Sequence, residues 1–204
     1  MKIMRVELTT IAPMLGTMPA DPKIHETYVA SNAPDAVSME EEIAAVGVEE
    51  VTEKTMTVFP RDNEGKPFIW NYQIRGFFKS ACQAMSKVDK SLSSKLKAYK
   101  KQVDLRIMVY ADAKKPSNRQ IPIEFDGEIT DLQRPLRAST PQGERIALAH
   151  SECIPENAKM TFDIVMLVDS DEDMVREWLD YGQFNGLLQW RNAGYGAFTW
   201  REIS

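Results

Sequence analysis

The stretch Phe68-Ile-Trp-Asn-Tyr-Gln-Ile-Arg-Gly-Phe-Phe-Lys-Ser-Ala-Cys-Gln-Ala-Met-Ser-Lys87 decides how the chain divides into elements. Phe68, Trp70, Tyr72 and Ile74 alternate as in a strand, whereas Ile74, Phe77, Phe78, Ala81, Cys82 and Met85 follow the spacing of one helix face. Taken in order, the two periods predict a short extended piece, then a helix capped near Asn71 and running to about Lys87.

Upstream, residues 2–11 alternate cleanly. Met4, Val6 and Leu8 point one way and Arg5, Glu7 and Thr9 the other, which predicts a half-buried strand. Residues 12–35 hold Pro13, Pro19, Pro22 and Pro34 and read as a long irregular loop. A short helix is expected around Glu40 to Ala45, and a strand over Thr55 to Phe59. Asp62-Asn-Glu-Gly65 is the turn of a hairpin toward Phe68.

Downstream, the pattern predicts a Lys-rich helix from about Ser91 to Lys101, then a strand over Val103 to Ala111 with Val103, Leu105, Ile107 and Val109 on one face. Residues 112–150 are a polar hairpin or loop excursion. Met160 to Val168 alternates as a strand, Ser170 caps a helix whose apolar face is Met174, Val175, Trp178 and Leu179, and Gly182 ends it. Phe198 to Ile203 closes as a strand. Strands interleaved with two principal helices predict an α+β fold with a ferredoxin-like, RRM-like β-α-β-β-α-β core. The whole of 1–204 is read as one domain carrying large insertions at about 12–54 and 112–150.

With 204 residues, 43% of them apolar and 27% charged, the chain has globular proportions and a length at which about 70% of the unfolded surface is buried. No apolar run approaches the roughly 18 residues of a membrane span, and Arg5 and Glu7 interrupt any secretory signal. Cys82 and Cys153 have no CxxC partner and are expected to be reduced thiols of a cytoplasmic protein.

The net charge of -5 excludes a generic polyanion binder, but the charge is divided. Residues 35–53 hold seven acidic side chains and no Lys or Arg, while Arg75 to Arg119 holds twelve basic against three acidic. One reading is a pair of solvated faces; the other is a basic surface for phosphates and an acidic segment facing a protein partner.

No phosphate loop, GxGxxG, HExxH or GxSxG motif is present. With only His25 and His150, no metal site is expected and no cofactor is called for. A Cys153–His150 pair is formally possible but lacks a group to orient the base. The strongest local signal is Gly186-Leu-Leu-Gln-Trp-Arg-Asn-Ala-Gly-Tyr-Gly-Ala-Phe198. Gly194 and Gly196 let backbone amides approach a phosphate, Arg191 and Asn192 add donors, and Trp190 and Tyr195 offer stacking surfaces. A plain glycine turn between a helix and a strand has the same composition.

Three blocks in order resemble the RAMP superfamily, the RNA-binding subunits of CRISPR effector complexes. Pro67 to Lys79 resembles its P-Y-I-P-G-S-S-L-K-G-x-x-R block, with Ile69, Ile74, Arg75, Gly76 and Lys79 on matching positions. Ser151 to Ile164 resembles E-x-I-P-x-G-T-x-F-x-F-x-I, and Gln189 to Phe198 resembles the C-terminal G-x-x-R-S-x-G-Y/F-G-x-V loop. Trp70, Asn71, Tyr72 and Gln73 replace the family's Pro-Gly-Ser-Ser, and Asn157-Ala158 stands for Gly-Thr.

The resemblance implies a nonenzymatic protein that binds single-stranded, guide-type RNA through its glycine-rich loop and early helix, as a subunit among other protein subunits or copies of itself. The residues it points to are Arg75, Lys79, Trp190, Arg191, Asn192, Gly194, Tyr195 and Gly196, with Arg134, Arg137 and Arg145 as additions from the excursion. The turn and the early helix are expected to form one cradle. Two other readings stay open. One is a phage or mobile-element protein that mimics or engages a CRISPR subunit without RNA. The other is a metal-assisted endoribonuclease, since some members of the family cut RNA with an aspartate after the first strand, where Asp21 and Asp35 lie.

Overall fold

A computed structural model describes residues 1–20, 56–140 and 143–203. In chain order the strands are β1 (Lys2–Thr10), β2 (Met14–Leu15), β3 (Met18–Pro19), β4 (Thr57–Val58), β5 (Phe68–Trp70), β6 (Ile107–Tyr110), β7 (Gln120–Pro122), β8 (Thr130–Thr140), β9 (Gly143–Ile154), β10 (Lys159–Met166) and β11 (Phe198–Glu202). Three α-helices are described: α1 (Asn71–Met85), α2 (Tyr99–Arg106) and α3 (Glu172–Tyr181). The protein is thus a mixed α/β fold with several sheets. It separates into two compact units, one of Met1–Met14, Pro60–Glu128 and Ile154–Ser204, the other of Leu15–Phe59 and Ile129–Cys153.

The first unit is built on a four-stranded sheet in the order β11-β1-β10-β6, every neighbour antiparallel. Alternation sets its two faces. Met4, Val6, Leu8, Phe162, Ile164 and Phe198 turn inward and are fully buried, while Arg5 and Glu7 face outward. Onto the inward face α1 brings Ile74, Phe77, Phe78, Ala81 and Cys82, and α3 brings Val175, Trp178 and Leu179. Phe77 meets Phe198 at 5.2 Å between ring centroids, and Phe78 meets Trp178 at 5.6 Å. Each such aromatic is worth about 2–3 kcal/mol of burial. The indole of Trp178 is satisfied as well, donating to Ser93 Oγ at 2.8 Å.

Several local expectations are corrected. The cap of α1 does fall near Asn71, but at Trp70, whose N–H donates to Gln73 Oε1; Asn71 is the first helical residue, and its side-chain amide donates to the Val109 carbonyl at 2.8 Å. The Lys-rich helix breaks into a 3-10 turn over Leu92–Lys95 and the later α2, because Ala98 adopts a left-handed conformation between them (φ +51°). The strand expected over 103–111 begins only at Ile107. Val103 and Ile107 are buried four residues apart, as on a helix, while Leu105 is exposed.

Ser170 does not cap α3: Asp169–Asp171 forms a 3-10 turn, and the buried Asp171 carboxylate accepts from Arg106 Nε at 2.9 Å. Gly182 does end α3, and packing admits only glycine there. A β-carbon there would stand 2.1 Å from the Phe198 ring. The Asp62–Gly65 turn forms, with Asp62 N donating to the Lys66 carbonyl, but its flanks are joined by a single Arg61–Pro67 bridge and β5 pairs with β7.

In the second unit β8 and β9 run antiparallel from Thr130 opposite Cys153 to Thr140 opposite Gly143. β4 pairs with β3 and, in parallel, with β9, where Thr57 and Ser151 share a hydroxyl hydrogen bond of 2.8 Å. Asp21, Asp35, the expected helix at Glu40 to Ala45 and the acidic 35–53 stretch lie outside the described residues.

Candidate nucleic-acid interface

Arg75 and Lys79 share one face of α1, as four-residue spacing requires. At 100° per residue that face is turned away from Phe77, so the two cations leave the core as the helix buries its apolar side. They converge on one carboxylate of α2. Asp104 Oδ1 lies 2.7 Å from Lys79 Nζ and 4.0 Å from Arg75 Nη1. Arg75 Nε is buried and has no hydrogen-bond partner among the described residues.

Beside Arg75 a cavity of about 140 Å³ opens against the edge strand β6, lined by Asn71, Arg75, Met108, Val109, Tyr110 and Arg119. Asn71 frames it, its backbone N–H donating to the Arg119 carbonyl at 2.9 Å and its side chain to that of Val109. The sequence signals Arg119 only as a member of the basic stretch; its place beside Arg75 follows from the pairing of β5 with β7.

The terminal turn is built by close backbone approach. A β-carbon on Gly186 would meet Gly196 O at 1.9 Å, and Leu187 N donates to that carbonyl at 2.9 Å. Gly196 N donates to Pro13 O at 2.8 Å and Ile11 N to Ala197 O at 2.8 Å, tying the turn to the end of β1. Trp190 is left-handed (φ +54°), Arg191–Ala193 forms a 3-10 turn, and Gly194 (φ +88°) closes it with open space around it.

Two consequences differ from expectation. The amides of Gly194 and Gly196 are committed, to Arg191 O and Pro13 O, and Gly196 is buried, so these glycines shape the turn rather than present amides. The rings of Trp190 and Tyr195 stack on each other, 4.9 Å apart and 17° from parallel. The turn therefore presents the outer face of that stack, with Trp190 43% exposed, the exposed Asn192 and the half-exposed Arg191.

A single cradle, as expected from the sequence, has to span the width of the four-stranded sheet. The turn leads into β11 and the Arg75 cavity is lined by β6, the two edge strands, three strand spacings or roughly 14 Å apart. Between α1 and β11 the Phe77–Phe198 ring contact runs through the core. The outward face of the sheet between them is charged but paired: Arg5 Nη1 lies 2.8 Å from Asp163 Oδ1 and Arg201 Nη2 2.8 Å from Glu7 Oε1.

In the second unit Arg134 stands on β8 opposite Ala149, half-buried; Arg137 is placed by register opposite Ile146, and Arg145 opposite Ala138. His150 and Cys153, three apart on a strand, point to opposite faces. His150 Nδ1 is 3.1 Å from Asp131 Oδ2, and burial pushes the Cys153 thiol up, so no nucleophilic pair forms. Among the described residues no group of three or more metal-type side chains occurs, and no helix is long and apolar enough to cross a membrane.

No protein-family model matches the chain, and no curated protein matches it. Solved structures do: 138 chains match, among them a chain of the cryo-EM structure of the type III-B Cmr-beta bound to cognate target RNA, with a TM-score of 0.51 at 11% identity. The similarity covers 99% of this chain and 59% of the other, so the protein spans less than two thirds of that chain's length. At such identity the likeness is one of fold.

Proposed function

We propose that the protein is a RAMP-like, nonenzymatic RNA-binding protein that grips the backbone of a single-stranded, guide-type RNA and works beside other protein subunits. The observation that carries this reading is the fold likeness along 99% of the chain to part of a Cmr-beta assembly that holds RNA. The sheet order β11-β1-β10-β6, with α1 and α2 between the first and second core strands and α3 between the third and fourth, supports a ferredoxin-like core. Chemistry of the right kind stands toward both edges of that sheet: the half-buried Arg75 and exposed Arg119 beside β6, with Lys79 one turn along α1, and the Trp190–Tyr195 stack with Arg191 and Asn192 before β11. Cations and stacking rings are what sequence-tolerant binding of single strands uses.

Filter binding of the purified protein to short single-stranded RNA at low salt tests the reading. Binding that falls with salt, and falls further in an Arg75→Glu, Arg191→Glu double variant, supports it; no binding, or binding indifferent to both changes, refutes it. RNA that stays intact after incubation with magnesium disposes of the endoribonuclease alternative.

One observation favours the second reading, an interaction protein that engages a CRISPR subunit without RNA. Asp104 partly neutralises both α1 cations, and the outward sheet face is ion-paired. Ribonuclease-insensitive co-purification with a protein partner, in the absence of RNA binding, selects that reading.

A further inference from the structure

We propose that the cavity between Arg75 and Arg119 is a phosphate pocket, a site for one tetrahedral phosphate group of a nucleic-acid strand, with Tyr110 on its wall. The inference rests on the RNA-binding reading for the source of the phosphate, but its chemistry stands on the pocket itself. Two cations, Arg75 and Arg119, line the cavity, and Arg75 shares its one carboxylate, Asp104, with Lys79. Lys79 takes the close contact with that carboxylate at 2.7 Å, and Arg75 Nη1, at 4.0 Å, is beyond hydrogen-bond length. Arg75 is therefore under-satisfied, and its buried Nε lacks a hydrogen-bond partner among the described residues. The Arg119 guanidinium has no carboxylate partner among the described residues.

Two guanidinium forks on one small polar cavity match the bidentate geometry that phosphate oxygens offer. The volume of about 140 Å³ equals the share of roughly four or five waters, room enough for a phosphate group. The frame is rigid, since Asn71 hydrogen-bonds on either side of the cavity to Val109 and Arg119. The bound group is either a phosphodiester within the strand or a 5′-terminal monophosphate.

The test is fluorescence anisotropy with 3′-labelled single-stranded RNA, bearing either a 5′-hydroxyl or a 5′-phosphate, against the wild-type protein, Arg119→Ala and a control, Lys90→Ala. Arg119 is exposed, so its loss leaves the fold intact. The expected result is a several-fold weaker binding for Arg119→Ala with a salt slope lower by about 0.7, more than Lys90→Ala shows. If the loss occurs with both RNAs the pocket holds a phosphodiester; if only with the 5′-phosphate form, it holds the terminus. Wild-type binding that Arg119→Ala leaves unchanged overturns the pocket while the RNA reading survives. If the wild type binds no RNA, inorganic phosphate decides: a rise in Tm of the wild type that Arg119→Ala abolishes upholds the pocket, and equal Tm changes overturn it.

Discussion

Lys79 Nζ stands 2.7 Å from Asp104 Oδ1, so α2 holds a carboxylate against the cation that α1 turns to solvent. The pair sits on the surface, with about a third of Lys79 and nearly half of Asp104 exposed, and is worth little in stability. Its weight is electrostatic: it lowers the positive potential of the very edge assigned to RNA. Asp104→Asn is therefore expected to strengthen binding of single-stranded RNA and to steepen its salt dependence, with little change in Tm. Weaker binding in titrations of this variant contradicts the assignment.

The glycines of the terminal turn separate sterics from conformation. Gly186→Ala drives a methyl into the Gly196 carbonyl and is expected to cost about 3 kcal/mol or more in urea denaturation. Gly194→Ala meets open space and pays only for its left-handed backbone, about 1 kcal/mol. Equal losses would show that the two strands of the turn do not touch.

Arg106→Ala leaves the buried Asp171 carboxylate without its guanidinium partner. A fully buried pair broken on one side costs about 3–5 kcal/mol, and the partial exposure of Arg106 reduces this to about 2–3. Denaturant unfolding that moves by less than about 0.5 kcal/mol contradicts the pairing.

Glu172 sets a pH dependence. Hydrogen bonds from Lys2 and then Arg176 hold its carboxyl below the ordinary value of 4.5. A carboxyl depressed in the folded state stabilises above its unfolded pKa, and that contribution is lost as pH falls through the folded value. The wild type is expected to melt above Glu172→Gln at about pH 7, and the gap to close below about pH 4.5 as both ion pairs are discharged. A gap independent of pH argues against the network.

Burial pushes both the Cys82 and Cys153 thiols up, against weaker opposing hydrogen bonds from Ser93 and Thr130. Native protein at neutral pH is expected to resist iodoacetamide until it is denatured. Rapid alkylation of the native state would show that one of these sites opens.

The periodic elements were legible because burial alone dictates them. In β1, Met4, Val6 and Leu8 are all buried as their alternation requires, and the Met174, Val175, Trp178, Leu179 face of α3 is buried as read. In the region after α1 two periods fit the same residues. Val103 and Ile107 satisfy both a strand and a helix, and only the packing of α2 on α1 decides. The candidate site was half legible for a related reason. Arg75, Lys79, Trp190 and Tyr195 announce themselves by residue type, but their mutual placement, the Asp104 contact and the Arg75–Arg119 cavity arise from pairings between distant segments. Periodicity carries no such information.

The most direct test of RNA contact is photo-crosslinking of the protein to single-stranded RNA carrying 4-thiouridine, followed by peptide mapping. The structure leads us to expect crosslinks in peptides holding Trp190 to Tyr195 at one edge of the sheet and Tyr110 to Arg119 at the other. Crosslinks confined to peptides that contain neither segment, or none at all under conditions where the protein is folded, would contradict it.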